Sequence, residues 1–91
     1  MEQILKIFKM DLGITSTARD DYFGNLINAC IKELESKGVH SSENDAEYMM
    51  LVSDYAAWRY RKREENTGLP VNIKTRIRDR QIKARSEMDV V

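Results

Sequence analysis

Arg59, Arg61, Lys62 and Arg63 stand within five residues of one another, and Lys74, Arg76, Arg78, Arg80, Lys83 and Arg85 within twelve. Cations at this density neutralise phosphates, grip carboxylates of a protein through forked hydrogen bonds, or simply solvate a helix face. All three uses stay open at the level of residue type. Trp58, just before the first cluster, is either a core aromatic sharing a face with Tyr55 and Leu51 or an interface anchor. The remaining reactive side chains lead to less. His40, Glu43, Asp45 and Glu47 are metal-ligating types, but their spacing fits neither the Asp-x-Asp-x-Asp-Gly calcium loop nor a histidine pair on a helix. Asp20 and Asp21 suit the first turn of a helix better than general acid/base work. One cysteine, one histidine and no glycine-rich phosphate loop leave no nucleophile-base pair and no phosphate cradle. The expectation is a protein with no catalytic residue, no cofactor and no metal. Cys30 has no second cysteine to pair with and is expected to be a small core residue.

Ninety-one residues make one domain, able to bury roughly two-thirds of its unfolded surface. There is no apolar run of the length a membrane helix needs and no charged leader followed by a short apolar stretch, so a cytosolic protein is expected. Charge is split along the chain. Residues 1–55 carry 5 basic and 10 acidic side chains, residues 56–91 carry 10 basic and 5 acidic, so the halves stand at −5 and +5. That asymmetry suits head-to-tail contact between copies or a nucleic-acid face on the basic half; the plain alternative is a bundle whose charges solvate different faces.

Four helices would position these residues. Ile4, Leu5, Ile7, Phe8 and Leu12 have helical spacing over Glu2 to Leu12, and Gly13 stands where a left-handed cap belongs. Thr17 with Asp20 predicts a capping box for a second helix over about Ala18 to Lys37, with Gly38 as its terminal cap. The longest element is Asp45 to Glu65, with Ser41, Ser42 or Asn44 as its cap. One apolar stripe holds Ala46, Met49, Met50, Ala56, Ala57 and Tyr60; another holds Tyr48, Leu51, Val52, Tyr55 and Trp58. A helix apolar over most of its circumference must be enclosed, by its own neighbours or by another copy. Thr67, Gly68, Leu69 and Pro70 end it. A last helix is predicted from an Asn72 cap to about Glu87, with Ile73, Ile77 and Ala84 on one narrow face and a flexible tail over 86–91. Arg80 falls nearly on that face and would need a carboxylate or a route to water. Arg61 with Glu65 forms a local pair one turn apart. No helix-turn-helix is recognisable, because the connection after Glu65 contains Gly and Pro between long helices.

The order of elements resembles tailed-phage head-tail connector proteins. The residues that carry the likeness are Leu12-Gly13-Ile14, Arg19-Asp20-Asp21, Leu26-Ile27-Asn28-Ala29, the run Tyr55-Ala56-Ala57-Trp58-Arg59-Tyr60-Arg61-Lys62-Arg63-Glu64, and Gly68-Leu69-Pro70 before a basic helix. It covers roughly Ile4 to Ala84, on diffuse apolar and turn positions. It implies a small all-helical adaptor that forms a homo-oligomeric ring beneath the portal protein at the capsid vertex, joined to tail or stopper proteins, with DNA passing through and contacted non-specifically. The place of action would be the virion neck, after the host cytoplasm. On that reading one stripe of the central helix packs the subunit core and the other serves core and subunit contacts. Trp58, Arg59, Arg61, Arg63, Lys74, Arg76, Arg78, Arg80, Lys83 and Arg85 become candidates for portal, subunit or channel contacts. The connection Val39 to Asn44 departs from the pattern, being shorter than the insertion family members often carry.

The sequence therefore predicts an all-α bundle of about four helices with a long central helix, acting as a non-enzymatic connector subunit. Its rivals are a small nucleic-acid-binding protein that uses the same basic helix and a regulatory interaction module of a mobile element.

Overall fold

The structure, a computed structural model, describes residues 2–40, 45–65 and 68–89, without the side chains of 63–65 and 86–89. The described residues form four α-helices and no strand: α1 (Glu2–Leu12), α2 (Asp20–Ser36), α3 (Ala46–Glu65) and α4 (Val71–Asp89). Both predicted glycine caps are in place. Gly13 (φ 71°) and Gly38 (φ 83°) take the left-handed conformation. Beyond them Ile14 N–H donates to Lys9 O and Val39 N–H to Leu34 O, both at 2.8 Å, closing Schellman turns on apolar residues.

The helix starts differ from expectation, and at α2 the reason is a distant partner for the capping side chain. Asp20 does not fold back on Thr17; Lys9 Nζ of α1 holds its carboxylate at 2.7 Å, and Arg19 occupies the N-cap with no side-chain cap bond. At α3 the cap is Asp45 itself, whose Oδ1 accepts from Tyr48 N–H at 3.0 Å. The expected caps Ser41, Ser42 and Asn44 lie outside the described residues, as does Thr67. Asn72 does not cap α4. Pro70 precedes the helix, and its carbonyl accepts from Ile73 and Lys74 N–H, both at 3.1 Å. The backbone stays helical to Asp89, so 86–89 of the expected tail continue α4, while 90 and 91 lie outside the described residues.

Helix α3 is enclosed by its own neighbours. α1 and α2 pack against it and against each other, while α4 packs on α3 alone as its main contact. From residue 51 to 57 every side chain of α3 is buried except half-buried Asp54. Tyr48, Leu51, Val52 and Tyr55 all enter the subunit core, so this stripe is spent internally up to half-buried Trp58. Of the other stripe, only Ala46 and Met50 are exposed. Phe8, Phe23 and Tyr60 meet edge-on or tilted, with ring centroids 5.2 to 6.3 Å apart, where α1, α2 and α3 converge. Arg19 closes that cluster, its guanidinium 4.7 Å from the Tyr22 ring and 5.2 Å from that of Phe23.

α4 buries far less. Among its described side chains only Ile73 and Ile77 are core residues, worth about 1.5–3 kcal/mol each by burial. Polar contacts must supply much of what holds it.

Candidate functional site

Those polar contacts use part of the basic set. Arg76 Nη2 donates to Asp54 Oδ2 at 2.7 Å. Arg80, the arginine expected to need a carboxylate or a route to water, donates to Asp45 Oδ2 and at 3.5 Å to the His40 carbonyl, with its guanidinium carbon 5.5 Å from the Tyr48 ring centre. The next residue, Gln81, donates Nε2–H to Lys37 O at 2.8 Å, on the C-terminus of α2. Arg59 Nη1 donates to Glu33 Oε2 at 3.1 Å, and Tyr55 donates its hydroxyl proton to the same oxygen at 2.9 Å. Thus, among the described residues, Arg59, Arg76 and Arg80 of the basic half bind the acidic half of the same subunit.

Around Glu33 and Arg59 two buried groups, Cys30 and Tyr55, are shifted from their ordinary values. Burial pushes the Cys30 thiol up from its ordinary 9.0 to about 11, with Arg59 pulling the other way. Burial, and then donation to Glu33, push Tyr55 up to about 12. Both groups are held protonated at neutral pH, so neither is a thiolate or phenolate available for nucleophilic chemistry.

The other predicted residues divide by exposure. Trp58 is half-buried, donates Nε1–H to Gly68 O at 3.0 Å and packs edge-on against Tyr55, so it fastens the start of the α3–α4 connection. Lys62 Nζ lies 5.1 Å from its ring centre. Arg61 is exposed; the side chains of Arg63 and of Glu65, its expected partner, lie outside the described residues. Lys74, Arg78, Lys83 and Arg85 are exposed on α4. Three of them, Lys74, Arg78 and Arg85, share one outward face with Val71 and Ile82, two large apolar side chains that are 76 % and 58 % exposed. The basic helix is therefore an apolar and cationic ridge turned away from its own core.

Beside this ridge runs a groove between α3 and α4, about 460 Å³, with Met50 and Leu51 in it and Glu47 and Asp79 at its walls. Met50 is 46 % exposed. A second depression continues along the same helix pair past Arg76 to Asp54, Trp58 and Arg61.

The residues of the acidic segment are spread over other tasks. Asp45 caps α3 and binds Arg80, His40 contributes its carbonyl, Glu47 is exposed, and Glu43 lies outside the described residues. Among the described residues no three of His, Cys, Asp and Glu are grouped to hold a metal ion, and no helix is long and apolar enough to cross a membrane. Sequence reasoning did not find the Arg19 stack, the Lys9–Asp20 bridge or the Met50 groove. Only the exposure of Ile82 had a signal, since it lies on the far side of α4 from Ile73 and Ile77. Compared with known protein families, curated proteins and solved structures, the chain matches none.

Proposed function

We propose that this chain is a structural subunit of a tailed-phage or prophage head-tail connector, assembling as a ring below the portal and linking it to tail or stopper proteins around the DNA path. The observation that carries the reading is the division of labour on α4. Its inner arginines, Arg76 and Arg80, hold the subunit together, while Lys74, Arg78, Lys83 and Arg85 are exposed with no partner among the described residues. Free cations on a helix attached along one side offer a docking surface for carboxylates of a portal. The all-α architecture and the order of elements support the same reading. Mechanism here is geometry: contacts that are individually weak become stable when a ring closes on a template.

The test is co-expression with the portal protein encoded by the same phage or prophage, with the mass of the purified particle read by light scattering. A complex carrying many copies of the chain is the expected result. Arg78→Glu with Arg85→Glu should weaken docking and leave helical content unchanged. No association with the portal would remove the reading.

The same four cations also suit a second reading, a small protein that binds the phosphates of duplex DNA. Affinity that falls steeply as salt rises would favour it.

A further inference from the structure

We infer that the outward ridge of α4 in one copy seats in the α3–α4 groove of a second copy of this chain. The inference deepens the connector reading and rests on it only for the expectation that copies touch. Two observations carry it. First, each surface exposes an apolar side chain that the subunit leaves uncovered: Ile82 on the ridge and Met50 in the groove. Second, the free charges are complementary. In the groove Arg76 and Arg80 are already neutralised by Asp54 and Asp45, which leaves the carboxylates of Glu47 and Asp79 as its charges without an ion-pair partner among the described residues. Lys83 lies one turn on from Asp79 but does not line the groove, and counted with it the groove is still negative. On the ridge Ile82 is flanked by Arg78 four residues before and Arg85 three residues after, with Lys74 a turn further back.

The dimensions agree. Seven helical residues separate Arg78 from Arg85 by about 10 Å, close to the roughly 8–10 Å between packed helix axes that sets the groove walls apart. A ridge crossing the groove at a steep angle would bring Ile82 over Met50 and set the two guanidinium groups against Glu47 and Asp79. Ridge and groove occupy different faces of α4, so one copy can use both at once. The contact is heterologous and generates a closed ring or an open chain. Because both partners are exposed and salt-screened, the single contact is weak.

Sedimentation velocity of the full chain, from low concentration up to roughly 1 mM at low salt, tests it with two double variants. R78E/R85E makes the ridge acidic; E47R/D79R makes the groove basic. The expected result is concentration-dependent self-association of the parent protein, weakened about tenfold or more in each variant alone and restored in an equimolar mixture, where acidic ridge meets basic groove and basic ridge meets acidic groove. All four positions are exposed, so thermal melts followed by circular dichroism should match the parent.

Three results would overturn the inference: a parent monomeric throughout the range, variants that associate as the parent does, or correctly folded variants that do not recover on mixing. Loss of duplex binding in R78E/R85E with self-association unchanged would assign the ridge to phosphates and also overturn it. The two readings fail separately. Rings on a portal that form equally well from both variants would retain the connector and remove this contact, whereas charge-swap rescue without portal docking would do the reverse.

Discussion

At the scale of single residues, Glu33 does the most with the least burial. One carboxylate oxygen takes both the Tyr55 hydroxyl and the Arg59 guanidinium, although Glu33 and Arg59 are each about two-fifths exposed. Solvent screening leaves the ion pair little value, about 0–1 kcal/mol, while the hydroxyl of buried Tyr55 loses its partner altogether if the acceptor goes. Glu33→Ala should therefore cost about 1–2 kcal/mol, and Glu33→Gln, which keeps an acceptor and removes the charge, under about 1 kcal/mol. Equal losses in urea unfolding would show that the charge is what matters. The same cluster sets an alkaline limit. Cys30 and Tyr55 have folded-state pKa values raised to about 11 and about 12. Folding therefore favours their protonated forms. Their stabilisation is complete below the ordinary values of 9.0 and 10.0 and is lost as pH rises through the raised ones. Urea midpoints should fall progressively from pH 9 towards about 12, with the lower part of that slope flattened in Cys30→Ala and the upper part in Tyr55→Phe. Little of this was legible in the sequence, because Glu33 and Arg59 are 26 residues apart and only the fold brings them together. Arg80 is the contrasting case. Its near-core place on the helical wheel called for a carboxylate or a route to water, and Asp45 supplies the carboxylate.

At the scale of elements, periodicity and glycines carried the helices, since both are properties of neighbouring residues. Gly13 and Gly38 close their helices as expected. Starts were less legible because capping side chains are short polar groups with competing uses, as Asp20 shows in turning from Thr17 to Lys9. Asp45 resolves such competition by serving two elements at once, one oxygen capping α3 and the other binding Arg80 of α4. Asp45→Ala should then cost about 2–3 kcal/mol, more than a cap alone. Asp45→Asn keeps the cap acceptor and weakens only the bridge, so it should cost about 1 kcal/mol. If the two substitutions lowered the denaturant midpoint equally, the cap would contribute nothing.

For the whole molecule, the charge split between the halves was plain in the sequence, but its destination was not. Part of it is consumed internally by Arg59, Arg76 and Arg80, and part remains on the outer side of α4. These two parts should respond differently to salt. Raising ionic strength from roughly 0.05 to 0.5 M shortens the screening length severalfold, so association through the exposed ridge should fall steeply. Thermal unfolding of the single subunit should shift only slightly, because Phe8, Phe23, Ile27, Leu34 and Leu51 are buried without charge. A melting temperature that dropped in step with association would place the salt-sensitive contacts inside the subunit. The clip formed by Arg80 also has a consequence for how the chain is made. Its partners lie in the connection and helix start 35 and 40 residues upstream, and a ribosome delivers α1, α2 and α3 before it delivers residue 80. The nascent three-helix unit thus begins life with the Arg80 clip at the entrance to its central helix still open, and α4, made later, closes it.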